Sequence, residues 1–235
     1  GNGAESGHAR VYQLTNNSSS EIITTESGSY LLIKDSKTFA DAITASKTYG
    51  GHLAQFETKQ EATNVWTKIK ELIPSLTSSF NSTVARDGGG ASYVWLGGSD
   101  GDTTSTQTSS TWNWKWIESS IEIAKTRTEW GTGWGGTEPD NSRDTQHRLA
   151  LGLEDWSRGN PGKYGNAGEW NDINASNQLW YLVELSSENE LQGTNAIDTL
   201  TNTAADENID GGVGNDTVVF SGKFSDYTFT RTTSS

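Results

Sequence analysis

The order of helix and strand signals is the feature that most constrains the fold of this 235-residue chain. Apolar residues recur at helical spacing in only two segments, and both lie before Pro74. From Ser92 onward the sequence pattern changes and predicts short aromatic strands joined by long Gly-, Ser- and Thr-rich connections. Because helices and strands are segregated rather than alternating, the sequence predicts an α+β fold instead of a parallel sheet.

Each predicted helix has local boundary signals. In the first, Phe39, Ala42 and Ile43 recur at helical spacing until Gly50-Gly51, a typical helix C-terminus. In the second, Thr58 with Glu61 three residues later forms a capping box. We expect the apolar face of this second helix to end before Pro74, because proline removes a backbone donor and clashes with the preceding turn.

The predicted strands are short, and one connection between them is unusually long. The strand candidates are Tyr30–Ile33, Tyr93–Leu96, Trp112–Trp116, Arg148–Leu153 and Trp180–Leu185. The irregular stretch from Glu118 to Arg148 exceeds the usual loop length of a compact domain, and ordered loops of that length are usually functional.

Composition excludes several classes of function. A formal charge of −13 argues against nucleic acid and against anionic membranes, and it fits cation binding. No apolar run approaches the length of a transmembrane helix, so we expect no direct membrane insertion. Zero Cys excludes disulfides, and zero Met leads us to expect that the chain is part of a longer protein.

Two short motifs gather hard oxygen ligands. Glu138-Pro139-Asp140 lies inside the long irregular stretch, and Trp170-Asn171-Asp172 follows about thirty residues later. Ca²⁺ takes roughly 6 to 8 oxygens from carboxylates, amides, carbonyls and water, so two such motifs could bind it and leave positions open for a ligand. Acidic turns around proline are common, and it is the pairing of the motifs that predicts a calcium site.

The tail carries a second calcium-type pattern. Residues 211–219 fit the nonapeptide G-G-x-G-x-D-x-U-x at each specified position. Steps of nine place Asp198, Glu207 and Asp216 at the acidic position, which makes them candidates for a second metal site. Only the last repeat is well formed, so the alternative is a Gly- and Asp-rich turn that binds nothing.

From Ser29 to Leu185 the chain resembles the C-type lectin-like domain family. The matching motifs occur in the family's order: 50–54 (GGHLA), Glu61 in the second helix, 95–98 (WLGG), and the two calcium motifs. The resemblance implies two helices, antiparallel sheets and a long calcium-binding loop. It also implies a principal calcium site made of Glu138, Asp140, Gln146, Asn171 and Asp172.

This implied site departs from the family pattern at one ligand. Family members usually have Glu where this chain has Gln146, while mannose-type members have Asn where it has Asp140. The number of carboxylates is therefore kept at three, and we expect a working site with altered hydrogen bonding. Family members also commonly hold the Glu-Pro peptide cis, a form accessible almost only before proline.

In the resembling lectins, two neighbouring sugar hydroxyls complete the calcium shell. Carboxylates accept hydrogen bonds from these hydroxyls and amides donate to them, so Glu138, Asp140, Gln146 and Asn171 are the candidate ligand contacts. Glu at the first position favours fucose- or mannose-type sugars, whereas Asp at the third favours galactose. Trp156 and Tyr164 are candidate stacking surfaces, unless both rings pack inward.

The predicted function is calcium-dependent binding of cell-surface glycans by an adhesion module. Together the lectin-like region and nonapeptide tail resemble the distal part of bacterial RTX adhesins, which implies an extracellular location and type I secretion. The alternatives are the same fold binding protein, peptide or ice with calcium only structural, or a spacer that binds no partner. No catalytic motif is present, so we predict no enzyme.

The expected domain organisation has three parts. Residues 1–27 form an N-terminal strand and linker, 28–186 the lectin-like domain and 187–235 the tail. Neither the strand at Arg10–Leu14 nor the tail strands near Val218–Phe220 and Tyr227–Phe229 has a partner in the lectin-like region, so we expect them to pair in a small split β-domain.

Overall fold

The structure is a computed structural model that describes residues 19–101 and 112–185 and four short strands in the tail. Contacts between Cα atoms divide the chain into two compact units, one of Leu14–Leu185 and one that joins Gly1–Gln13 to Ser186–Ser235. The predicted N-terminal strand at Arg10–Leu14 and the segment Tyr227–Phe229 lie outside the described residues, so their predicted pairing is not tested.

Two α-helices precede most of the sheet. α1 spans Phe39–Thr48, and the side chain of Thr38 caps it by accepting from Asp41 N. Its end is followed by Gly50 with a φ of 75°, a left-handed conformation that glycine adopts readily. α2 spans Lys59–Leu76 and is capped by Thr58, which accepts from Glu61 N. Both predicted helices are confirmed. In the part of the chain that the structure describes, neither helix is long and apolar enough to cross a membrane.

The predicted end of α2 before Pro74 is wrong. Pro74 lies inside the last turn of the helix, which runs on to Leu76 and then into a 3-10 helix at Thr77–Thr83. Near a helix end a proline disrupts few backbone hydrogen bonds, and burial of Leu76 and Phe80 in the core favours continuing the turn.

Among the described residues, ten strands belong to the unit that contains both helices. They are β1 Ser20–Thr25, β2 Gly28–Lys37, β3 Gly51–Leu53, β4 Tyr93–Ser99, β5 Lys115–Trp116, β6 Thr132–Gly133, β7 Gly136–Thr137, β8 Arg148–Gly152, β9 Trp170–Ile173 and β10 Leu179–Leu185. Eight of them form one sheet in the order β1-β2-β10-β4-β8-β9, with β3 beside β10 and β5 beside β4. Only the pairing of β10 with β4 is parallel within this sheet. The predicted α+β class, with two helices and a mostly antiparallel sheet, is confirmed.

The sheet is covered by apolar side chains on both faces. On one face of β10, Trp180 and Leu182 belong to the apolar cluster that contains Val65 of α2. On the other face, Tyr181 and Val183 belong to the apolar cluster that contains Phe39 of α1. Successive side chains of a strand point to opposite faces, so α1 and α2 pack on opposite sides of the sheet. The central strands are therefore largely apolar on both faces, and polar loops lie at their ends.

Four short strands are described in the tail: β11 Glu190–Gln192, β12 Thr199–Thr201, β13 Asn208–Asp210 and β14 Thr217–Val219. β11 pairs with β13 and β12 pairs with β14, both in parallel. In the second pair Leu200 lies opposite Val218, two nine-residue steps apart, which is the register of stacked coils. The candidate metal ligands Asp198, Glu207 and Asp216 lie outside the described residues.

Candidate functional site

The two oxygen-rich motifs meet at the end of the sheet that β9 forms. β9 pairs with β8, so the backbone of Asn171 and Asp172 is fixed opposite Ala150 and Leu149. The loop before Glu138 is tied to the same strand, because Gly131 N donates to Trp170 O at 2.8 Å. A hairpin of β6 and β7 then leads directly to Glu138, whose own N–H donates to Gly131 O at 2.8 Å.

Asp172 organises the turn that carries the other two carboxylates. Its Oδ1 accepts from Asp140 N at 3.2 Å and its Oδ2 accepts from Asn141 N at 2.7 Å. The Glu138–Pro139 peptide between these elements is cis, as the resemblance implies. One carboxylate oxygen each of Glu138, Asp140 and Asp172 lies within 4.8 Å of the others. The structure thus brings together three acidic residues that were predicted as metal ligands.

Burial and mutual repulsion make this cluster unfavourable as three free anions. Burial, with the nearby charges of Asp172 and Asp140, raises the pKa of Glu138 to about 9. Burial is also the largest cause that raises the pKa of Asp172 to about 7, although the hydrogen bond from the backbone N–H of Asn141 acts to lower it. A cation at this position would remove both penalties, because an opposite charge favours the ionised form of each carboxyl group.

Two buried acceptor atoms at the carboxylate cluster have no hydrogen-bond donor among the residues that the structure describes. They are Glu138 Oε2 and Asn171 Oδ1, and Asn171 is only 2% exposed. The amide nitrogen of Asn171 donates to Tyr93 Oη at 3.0 Å, which leaves its oxygen as the group available to a ligand. Buried acceptors without donors are rare in folded proteins, and a hard cation satisfies them. These oxygens fit Ca²⁺, which is the ion that the sequence predicts.

Gln146 lies at the same place but connects two loops. Its Oε1 accepts from Ser142 N at 2.7 Å, while its Nε2 donates to the backbone oxygen and Oδ2 of Asp87, each at 3.3 Å. The side chain is 2% exposed. As a carbonyl oxygen can accept twice, Oε1 can bind a cation while it keeps the Ser142 N–H.

Of the two aromatic candidates, only Tyr164 has a partly open ring. Trp156 is 1% exposed, and Gly165 packs so closely on its ring that an added Cβ would lie 2.1 Å from Cζ2. The expectation of a sugar stacked on Trp156 is therefore corrected, since no face of its ring is free. Instead its Nε1 donates to Glu138 Oε1 at 3.4 Å and so helps to position that carboxylate.

Sequence reasoning missed several groups near these ligands. Trp134, in the turn between β6 and β7, is 73% exposed, and the Lys163 ammonium lies 5.6 Å from its ring centroid and 4.7 Å from that of Tyr164. Arg86 and Arg143 are also exposed and border the predicted ligands. Position in the long irregular stretch was a weak signal for Trp134 and Arg143, whereas no local pattern indicated Arg86.

Of these groups, Arg86 and Arg143 line a cleft of about 500 Å³. Its lining includes Glu138, Asp140, Gln146 and Asn171 from the predicted set, together with Trp156 and Tyr164. Asp172 lies directly behind this surface and is fully buried. A volume of this size is within the range of small-molecule sites, and its lining is mainly polar.

Solved structures that resemble this chain are C-type lectin domains, at low sequence identity. A mouse scavenger receptor C-type lectin carbohydrate-recognition domain is 19% identical, with 69% of this chain and 91% of that chain covered at a TM-score of 0.43. Human lithostathine is 19% identical, with 73% and 99% covered at 0.45. The cow C-type carbohydrate-recognition domain of CD23 is 14% identical, with 73% and 97% covered at 0.44.

At these identities and TM-scores, the likeness says nothing about what this chain binds. No protein-family model matches the sequence, and no curated protein matches it. The case for a function therefore depends on the geometry of the cleft.

Proposed function

We propose that this chain is a calcium-dependent carbohydrate-binding module. The observation that carries the proposal is the convergence of three carboxylates and the amide oxygen of Asn171 at one cleft, where Glu138 Oε2 and Asn171 Oδ1 are buried and have no donor among the described residues. Calcium ligands would be Glu138, Asp140, Gln146, Asn171 and Asp172. Bound calcium would supply open coordination positions that a pair of neighbouring sugar hydroxyls can fill.

The polar groups around this position suit sugar hydroxyls. Glu138 and Asp140 offer carboxylate acceptors to the hydroxyl protons, whereas Gln146 and Asn171 carry amide groups. The amide nitrogens of Gln146 and Asn171 are already engaged with Asp87 and Tyr93, so the site offers mainly acceptors. We favour fucose- or mannose-type sugars, on the basis of Glu138, and Tyr164 as the ring at the edge of the cleft.

The wider context of the module is also a proposal. The parallel register of β12 and β14, two nonapeptide steps apart, supports a tail of stacked coils. A lectin-like domain that includes β1, Ser20–Thr25, and is followed in sequence by such a tail fits the distal region of an RTX adhesin that is exported to the cell surface. Its partners would then be cell-surface glycans.

A glycan array probed with calcium and with EDTA tests the proposal. Calcium of about 1 mM is appropriate, because extracellular modules bind it in that range. We expect binding to fucose- or mannose-terminated glycans that EDTA abolishes and that free fucose or mannose inhibits more strongly than galactose.

Two variants give the array its controls. Asp140→Ala removes one carboxylate from an exposed position with little risk to folding, and Asp172→Ala removes the buried one. Both should lose glycan binding, and thermal unfolding of each without calcium verifies that it is folded. A blank array from a folded protein that binds calcium would refute carbohydrate binding and favour a protein, peptide or ice ligand.

A further inference from the structure

Two arginines of the cleft form no ion pair with any carboxylate in the part of the chain that the structure describes. They are Arg86, in the loop before β4, and Arg143, in the turn after Asp140, and both side chains are exposed. The chain has 30 acidic residues against 17 Lys and Arg, so a guanidinium group is seldom far from a carboxylate. Two unpaired guanidinium groups at one cleft are therefore candidates for recognising an anion.

The side chain of Gln146 holds the two arginine-bearing loops together. It donates to Asp87, the neighbour of Arg86, and accepts from Ser142, the neighbour of Arg143. The backbone oxygen of Asp87 and the backbone nitrogen of Ser142 are consequently no more than about 8 Å apart across one amide group. Both arginines line the same cleft of about 500 Å³, so an anion bound in it lies close to both side chains.

The amide of Gln146 is what permits this arrangement. A glutamate at this position would place a second carboxylate against the carbonyl and carboxylate oxygens of Asp87, and like charges in contact repel. It would also offer the neighbouring arginines an internal partner. With Gln146, the Asp87 loop is held by hydrogen bonds and the arginines stay available to a ligand.

Charges in the cleft make anion binding dependent on calcium. Asp87, Glu138 and Asp140 line the cleft with Arg86 and Arg143, and Asp172 lies behind them, so with every carboxyl group ionised the formal charge is −2 without a metal. One Ca²⁺ brings this sum to zero. The calcium-loaded cleft no longer repels an anion, and its two guanidinium groups are left to attract one.

We propose that the ligand is an acidic oligosaccharide whose carboxylate binds Arg86 and Arg143 while hydroxyls of the same or a neighbouring sugar bind at the calcium position. This inference rests on the proposed carbohydrate function and narrows it to a class of glycan. The remaining lining, with Asn174, Ser176 and Asn177, offers amide and hydroxyl groups to a hydroxyl-rich ligand rather than apolar pockets for peptide side chains.

A matched pair of ligands tests the role of the carboxylate. The pair is an oligosaccharide that contains a hexuronic acid and the same molecule with its carboxyl group reduced to an alcohol. We expect calcium-dependent binding of the acid to be about 10- to 100-fold tighter, the range of a charge-assisted bidentate contact, and to weaken more steeply with added salt.

Variants then locate the effect at the two arginines. The double variant Arg86→Gln/Arg143→Gln should bind acid and alcohol equally, and its calcium affinity, measured by calorimetry without glycan, should not fall. Lys70→Gln, which removes one positive charge from the exposed face of α2, serves as the control for net charge and should retain the preference.

Three results would overturn the inference. Equal wild-type affinity for acid and alcohol, with calcium dependence intact, refutes the anion site alone and leaves the carbohydrate function standing. An unchanged preference in the double variant also refutes it. Binding of a peptide with a free C-terminal carboxylate, with no binding of either oligosaccharide, refutes both the inference and the proposed function.

Discussion

Glu138→Gln tests whether the candidate metal site is a cluster of carboxylates that repel one another until a cation arrives. The substitution keeps the shape of the side chain and its contact with Trp156, and it removes one negative charge from the set Glu138, Asp140 and Asp172. Without calcium we expect the variant to be more stable than the wild type. With calcium we expect the wild type to gain stability that the variant largely fails to gain.

The size of the effect follows from proton linkage. The pKa of Glu138 is raised from 4.5 to about 9, so between these values the folded state holds a proton that the unfolded state has released. Calcium-free stability of the wild type therefore falls as pH rises through this range. At about pH 7.5 the raised pKa of Glu138 lowers the calcium-free free energy of unfolding of the wild type by at most ~4 kcal/mol, at ~1.4 kcal/mol for each pH unit. Because the loop can relax, we expect the variant to exceed the wild type by about 1–3 kcal/mol.

Thermal unfolding followed by circular dichroism measures this difference. For a domain of this size 1 kcal/mol shifts Tm by about 2–4 °C, so in EDTA near pH 7.5 the variant should melt about 2–12 °C above the wild type. The difference should vanish as pH falls below about 4.5, where both states of the wild type hold the proton. Calcium at about 100 times its Kd should stabilise the wild type by ~2.7 kcal/mol.

Glu71→Gln, which removes an exposed carboxylate of α2, is the matched control and should show neither the pH-dependent gain nor a loss of the calcium effect. The reasoning fails if Glu138→Gln in EDTA is no more stable than the wild type at any pH. It fails equally if calcium stabilises the variant as much as it stabilises the wild type.

Three further outcomes are expected. Calcium affinity should rise with pH between about 5 and 9, because calcium binding displaces protons held at Glu138 and Asp172. Calorimetry in buffers of different ionisation enthalpy should detect the released protons. A calcium affinity that does not change with pH would contradict this expectation. Asn171→Ala should lower calcium affinity by at least about tenfold, measured by the same titration, and an unchanged Kd would remove Asn171 from the ligand set. Gly165→Ala should lower Tm by several degrees in calcium, because its Cβ would overlap the buried ring of Trp156, and a neutral result would show that this ring can move freely.

Local sequence patterns were sufficient for much of the framework. Residues close in sequence produce the cap at Thr58, the helical spacing in α1 and α2, and the short aromatic strands. These features can therefore be recognised without knowledge of the fold. The same holds for the oxygen-rich motifs, whose residue types alone indicate a hard cation. The end of α2 was misjudged because burial of Leu76 and Phe80 outweighs the local preference of Pro74.

Tertiary structure decided how these pieces meet. β9 and the turn after β7 are about thirty residues apart, and hydrogen bonds through Asp172 and between Gly131 and Trp170 bring the three carboxylates within 4.8 Å of one another. Burial of Trp156 beneath Gly165 turned a candidate sugar contact into a support for Glu138. Gln146, which in sequence is a substituted calcium ligand, links the loop of Arg86 to that of Arg143 only in the folded chain. The sequence by itself determined which ligand atoms this protein can offer, whereas packing between distant segments determined which of them face a common cleft, because burial and long-range hydrogen bonds depend on the whole fold.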